Sequence, residues 1–199
     1  MIHQSGNILT DRQLVDKVLR GEMQAFSQLI GMTEGLVARI VHQLIRNDED
    51  RKDVAQDVYL KVYQNLKGFR FQSKLSTWVG QIAYNTCLNR LQKRQPVLYD
   101  PPAQDGDETE GGRPELFRAT EETDRMLLQK ELRGRLTAEI GRLPPIYQTL
   151  IGLFHQEDQS YQEIARITGL PEGTVKSYLF RARKQLKEKM ELIYKNEML

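Results

Sequence analysis

The chain has 199 residues, of which 39% are hydrophobic and 28% charged, and its formal net charge is +2. That length allows one ordinary domain or two small ones, each with a modest core. A mean hydropathy of −0.57 and the lack of any apolar run near ~20 residues argue against a membrane span. The opening Met1-Ile2-His3-Gln4-Ser5-Gly6 lacks the basic-then-apolar pattern of a signal peptide.

Thr10 and Asp11 can cap a first helix carrying Leu14, Val15, Val18 and Leu19 at helical spacing, ended by Gly21. Ala25, Phe26, Leu29 and Ile30 begin a second, and Leu36, Val37, Ile40, Val41, Leu44 and Ile45 continue its period. Asp53 is expected to open a third, with Val54, Val58, Val62 and Leu66 as its stripe. Ser76 and Thr77 can start a fourth, with Val79, Ile82, Ala83 and Leu91 inward. Amphipathic helices of this kind must pack on one another, which predicts a helical bundle over 10–95.

Residues 96–122 break the pattern. Four of the seven prolines and three glycines fall there among acids, with almost no aliphatics. Such a segment cannot bury enough apolar surface to offset its ordering entropy, so a flexible acidic linker is expected. Charge divides the same way: 14 basic against 9 acidic residues over 1–99, 2 against 9 over 100–124, and 13 against 9 over 125–199. Two mildly basic ends flank an acidic middle, and a polyanionic partner would meet the ends.

A second domain is expected over 124–195. Met126, Leu127, Leu132, Leu136 and Ile140 lie on a helix stopped at Leu143-Pro144-Pro145, and Ile146–Phe154 starts the next. Residues 161–180 fit a helix-turn-helix. Ala165 is small where two helices cross, Gly169 supplies a left-handed turn, Pro171 suits a helix start, and Val175 packs on Ile164 with Leu179 continuing that side. The second helix carries Lys176, Arg181, Arg183, Lys184, Lys187 and Lys189 against Glu188, the excess that neutralising phosphates requires. A helix pair used only for packing is the plain alternative. No strand signal appears, so the fold class is all-α: two small helical domains and a linker.

Two further patterns carry chemistry. In residues 69–94, Phe69, Phe71, Trp78 and Tyr84 interleave with Arg70, Lys74, Arg90, Lys93 and Arg94, and Gln81, Asn85 and Asn89 share one helical face. Cations can follow a nucleic-acid backbone while rings and amides meet unpaired bases, although the rings could equally be core. In residues 53–66, Asp53, Gln56, Asp57 and Lys61 point mostly away from the valine stripe, as any solvated face would. Cys87 alone excludes a disulfide framework and fits a reducing cytoplasm, and the three scattered histidines show no metal-ligand spacing. No nucleophile–base pair or phosphate loop is visible, so neither enzyme activity nor a cofactor is expected.

GEMQAF (21–26), DVAQDVYLKVYQNL (53–66), FRFQSKLSTW (69–78), IAYNTCLNRL (82–91) and SYQEIARITGLPEGTVKSYLFRARKQL (160–186) together resemble the extracytoplasmic-function, or group IV, sigma factors of bacterial RNA polymerase. The resemblance runs from about Leu9 to Met190 in the family's order. It implies that the first domain is a sigma region 2 and the second a sigma region 4. The function it implies is to bind core polymerase, direct it to −35/−10 promoters and assist opening.

By the same resemblance, Asp53, Gln56, Asp57, Leu60 and Lys61 are the surface that docks on the β′ clamp coiled coil. Phe69, Arg70, Phe71, Ser73, Lys74, Ser76, Thr77 and Trp78 form the loop that captures a flipped −10 base, beside Asn85 and Asn89. Gly173, Thr174, Lys176, Ser177, Tyr178, Phe180, Arg181, Arg183 and Lys184 are the −35 reader. Implied partners are core polymerase, including the β flap, promoter DNA and an anti-sigma factor, all in the cytoplasm. Phe71 stands where many relatives have glycine, so base preference is expected to differ there. Tyr178 stands where many have arginine, and it would bond a phosphate or stack. A stand-alone helix-turn-helix regulator that binds DNA without polymerase, using only 125–199, and an RNA-binding helical protein are the rival readings.

Overall fold

The computed structural model describes residues 10–94 and 122–197, so the expected linker lies outside the described residues apart from Glu122. Every regular element described is helical: α1 (Asp11–Leu19), α2 (Met23–Leu44), α3 (Asp48–Asn65), a 3-10 turn (Leu66–Gly68), α4 (Leu75–Arg94), α5 (Glu122–Arg142), α6 (Pro145–His155), α7 (Tyr161–Thr168) and α8 (Glu172–Glu197).

Local chemistry sets the helix starts. Thr10 and Gln13 form a reciprocal capping box on α1, and Ser160 and Glu163 form another on α7. The third helix begins at Asp48, not Asp53. The Asn47 side chain accepts from the Glu49 and Asp50 amides, and three acids in the first turn complement the helix dipole. Pro145 occupies the first turn of α6, where its missing N–H costs nothing.

The first four helices enclose Leu14, Leu29, Leu36, Ile40, Val54, Val58, Val62 and Val79. Asp50, itself buried, ties α3 to α4 through Arg90 at 2.8 Å. In the second half Leu150, Leu153, Ile164, Ile167, Val175, Leu179 and Ala182 are buried, and Gly169 ends α7 at φ +74, the left-handed turn expected between the two helices. Leu91, expected inward, is exposed, and so are Leu132 and Leu136 on the helix expected there. On α5 it is Glu139 that is buried, paired with Arg142.

The two halves pack against each other along α4–α7 and α2–α6. Both crossings rest on a glycine. A Cβ on Gly80 would lie 3.2 Å from Ile167 and Leu36 atoms, and one on Gly152 would lie 3.0 Å from Gln43 Nε2. Arg39 pairs with Glu157 at 3.5 Å across the second crossing. Among the described residues no helix is long and apolar enough to cross a membrane.

Candidate nucleic-acid and protein-docking surfaces

On α3 the buried valines at 54, 58 and 62 force the intervening positions outward. Asp53, Gln56, Asp57 and Leu60 are exposed, Leu60 at 56%. Tyr63 extends the same strip and meets Phe26 edge-on at 5.2 Å. An apolar residue framed by acids and an amide suits a protein partner that supplies cations around an apolar contact. Asp53 and Asp57 also act on Arg90 of α4; its bond to Asp50, then these neighbouring acids, hold the guanidinium more firmly protonated than usual. Lys61 departs from the expected strip. It is half-buried and donates to Thr86 Oγ1 at 3.2 Å, bracing α3 on α4.

Between the 3-10 turn and α4, residues 69–74 form a short loop around three rings. Phe69 is buried, 4.7 Å from the Phe71 ring and 5.2 Å from Trp78. Phe71 is exposed and takes φ +56, a left-handed backbone that costs an L-residue about 1–2 kcal/mol. The Arg12 guanidinium of α1 lies 5.2 Å from the centre of its ring. The adjacent Asp11 carboxylate accepts the Leu75 amide at 2.8 Å, so the start of α4 is capped by a residue 64 positions away.

The loop residues expected to meet DNA therefore divide. Arg70, Phe71 and Lys74 are exposed, and Ser73, Ser76 and Trp78 are half-buried. Phe69 and Thr77 are both buried, Phe69 as the ring on which the loop packs and Thr77 on the face that α4 turns to the core. Gln81, Asn85 and Asn89 are all exposed, a row of amides along α4.

The second half reaches into this loop. Lys74 Nζ pairs with Glu163 Oε1 at 2.7 Å, and Arg166 Nη1 donates to the Gln72 carbonyl at 2.9 Å. Glu163 thus serves twice, because its Oε2 accepts the Ser160 amide and hydroxyl of the α7 capping box. Burial pushes the Glu163 carboxyl up, but bonds from Lys74 and Ser160 outweigh it and hold the group below its ordinary value. The same bond, with the attraction of the charge behind it, raises Lys74.

On α8, Val175, Tyr178, Leu179, Ala182 and Leu186 are buried, a stripe at helical spacing that anchors the helix to α6 and α7. Gly173, Lys176, Ser177, Phe180 and Lys184 are exposed and Thr174 and Arg181 half-buried, so the outward side of its first turns is cationic with one ring. Lys176 lies 3.0 Å from Glu172 and 5.6 Å from the Tyr161 ring centre. Two residues expected to contact DNA make contacts within the second half. Tyr178 is 5% exposed and packs edge-on against Tyr147 at 5.4 Å. Arg183 turns to α6, over the Phe154 ring at 4.8 Å and donating to His155 Nε2 at 3.2 Å. Burial, then the Arg183 charge, lowers the His155 pKa and favours the neutral imidazole that can accept this bond. Burial pushes the Cys87 thiol up to about 12 against a smaller opposing pull from Lys61, which leaves it an unreactive core group.

An open groove of about 510 Å³ runs between α5 and the C-terminal half of α8, lined by Arg142, Leu143, Leu186 and the exposed Leu192 among others.

Residues 29–97 match the family model of sigma-70 region 2, and residues 133–186 that of sigma-70 region 4. The ECF RNA polymerase sigma-E factor of Haemophilus influenzae is 34% identical over 185 residues, 92% of this chain and 96% of the relative. The chain belongs to the ECF sigma factors of the sigma-70 family. A second relative of this sigma factor, the RNA polymerase sigma-H factor of Pseudomonas aeruginosa, is 32% identical over 91% of this chain and 94% of its own length. Among solved structures, CnrH in complex with the cytosolic domain of CnrY superposes with a TM-score of 0.62 at 20% identity, covering 92% of this chain and 97% of that one. The sigma factor RpoE bound to the anti-sigma factor NepR from Bartonella quintana gives 0.57 at 21% identity, covering 83% and 96%. At such identities the likeness is one of fold.

Proposed function

We propose that this sigma factor binds core RNA polymerase through α3, reads a −10 element with the 69–74 loop and the amide row of α4, and reads a −35 element with α8. The observation that carries this reading is the coexistence, in one chain, of the exposed Asp53–Gln56–Asp57–Leu60 strip and a helix-turn-helix whose basic outer face stays exposed. A stand-alone regulator would leave the first of these without a use.

The division of labour follows from the chemistry of each surface. The α3 strip would meet the β′ clamp coiled coil through Leu60, with Asp53 and Asp57 facing partner cations. Lys176, Arg181 and Lys184 would neutralise phosphates and fix the register of α8 in the major groove, where Thr174, Ser177 and Phe180 can reach base edges. Arg70 and Lys74 would follow the melted strand while Gln81, Asn85 and Asn89 bond unpaired base edges. Opening is favoured when an extruded base is held by the loop instead of restacking. The groove beside Leu192 offers the second domain an apolar contact of its own, suited to the β flap. Bond-making chemistry then belongs to the polymerase, and the sigma factor supplies binding energy and position. An anti-sigma factor would silence the molecule by covering the α3 strip and the α8 face together.

The test separates the surfaces. Gln56→Ala and Asp57→Ala should weaken association with purified core polymerase, whereas Lys176→Ala and Arg181→Ala should leave it near normal and lower −35-dependent transcription. Loss of one base contact corresponds to about 1–3 kcal/mol. Unchanged core affinity in both α3 variants, or lost core affinity in both α8 variants, would refute the assignment.

A further inference from the structure

We propose that the packing of the two halves is an autoinhibitory latch, fastened where Glu163 and Arg166 of α7 hold the 69–74 loop, which core polymerase must release before both promoter elements are read. The proposal rests on the two-element reading above. Two crossings fasten the halves, and each combines a glycine with an ion pair. At α4–α7 a Cβ on Gly80 would lie 3.2 Å from Ile167 and Leu36 atoms, and Lys74 Nζ meets Glu163 Oε1 at 2.7 Å. At α2–α6 Arg39 pairs with Glu157 at 3.5 Å, beside Gly152 against Gln43. Arg166 adds a bond to the Gln72 carbonyl at 2.9 Å, so α7 grips the loop by a side chain and by its backbone.

This packing is incompatible with reading both elements at once. Lys176 of α8 lies 5.6 Å from the Tyr161 ring centre, and Tyr161 stands one turn or less from Glu163, which touches Lys74. Bond lengths along that path keep the α8 cation within about 25 Å of the loop cation. The −10 and −35 positions are about 25 base pairs apart, roughly 80 Å of B-form duplex. A latched chain therefore reaches one element at a time, with Lys74 engaged by a carboxylate in place of a phosphate. The 27 residues between Arg94 and Glu122 extend to about 90 Å, enough chain for the halves to part.

Cap and latch are separable. Glu163 Oε2 accepts the Ser160 amide and hydroxyl of the α7 capping box, and glutamine satisfies such a box as glutamate does. Glu163→Gln thus removes the charge that holds Lys74 and keeps the helix start.

The experiment uses the full chain, purified core polymerase and a promoter that the parent holoenzyme selects from a library randomised at −35 and −10. A Cβ on Gly80 lies 3.2 Å from Ile167 Cγ1, one bond from the Ile167 Cβ, so Gly80→Cys with Ile167→Cys meets the Cβ separation of about 3.5–4.5 Å that a disulfide needs. The oxidised double variant should give run-off transcription at least tenfold below its own reduced form, a comparison that loss of folding by substitution would not produce. Glu163→Gln with Arg166→Ala should enlarge the radius of gyration of the free chain and raise transcription at least twofold when sigma factor is limiting, since more of it is open. Equal transcription from the oxidised and reduced forms, failure of the bridge to form, or an unchanged radius of gyration in the latch variant would overturn the proposal and leave the two-element reading standing. If the parent holoenzyme selects no promoter, that reading falls and the proposal with it.

Discussion

Tyr178 separates a DNA contact from a core contact more sharply than any other residue of α8. By its place in the helix-turn-helix it is expected to face DNA, yet its ring is 5% exposed against Tyr147. Truncating a buried aromatic side chain to alanine costs about 3–5 kcal/mol, of which an edge-to-face ring pair supplies about 0.5–1.5. For a chain of this size, each kcal/mol lowers Tm by about 2–4 °C. Tyr178→Ala should therefore lower Tm by at least about 6 °C in a circular-dichroism melt at 222 nm. Tyr178→Phe, which keeps the ring, should melt within about 2 °C of the parent and give −35-dependent transcription close to normal. Lys176→Ala should show the reverse pattern, a small change in Tm and a clear loss of transcription. A Tyr178→Ala protein that melts like the parent but no longer supports −35-dependent transcription would refute the packing argument and return the residue to the DNA interface.

Two other groups give independent tests. At Gly80 an added Cβ falls 3.2 Å from Ile167 and Leu36; Gly80→Ala should be near neutral, because alanine gains about 1 kcal/mol of helix propensity. Gly80→Leu should overpack the crossing by about 1–3 kcal/mol and expand the free protein in small-angle scattering, and an unchanged radius of gyration would contradict the α4–α7 contact. His155 binds a proton less readily folded than unfolded, because desolvation and then the Arg183 charge disfavour the imidazolium. Its contribution is complete above the unfolded value near 6.5 and is lost as pH falls below that toward the lower folded value. Urea midpoints at pH 7.5 and 5.5 should therefore fall on acidification, and His155→Gln, which keeps an acceptor for Arg183, should fall less. Equal losses in parent and variant would remove this role.

The elements legible in the sequence are those whose signals are local. The Thr10 cap, the Gly169 turn and the valine stripe of α3 all depend on residues within a few positions of one another, and each appears where expected. The start of α3 at Asp48 is not legible in the sequence, because Asn47 and three consecutive acids have the polarity of a loop and only the folded cap distinguishes them. Periodicity carries the information on Tyr178: counted from Val175, positions 178, 179, 182 and 186 form one stripe, whereas the family pattern points Tyr178 outward. Leu91 differs for the opposite reason, since apolar spacing says that a helix has a face and not whether anything covers it, as the exposed Leu132 and Leu136 of α5 also illustrate.

The contacts that shape the 69–74 loop have no local signal. Asp11 and Leu75 are 64 residues apart, and Lys74 and Glu163 belong to different halves of the molecule. Only the tertiary arrangement brings a carboxylate to the start of α4, a guanidinium to Phe71 and a capping-box glutamate to the lysine of the loop. Glu163 ties up Lys74 in this arrangement, so the loop cation and the α7 cap are linked through one side chain.

Run-off transcription with purified core polymerase over a library randomised at both −35 and −10 tests the central claim most directly. Two separated motifs at a fixed spacing should be enriched, and only when this chain and core polymerase are both present. Enrichment of one motif by the chain alone, or no enrichment beyond that of core polymerase, would contradict the account.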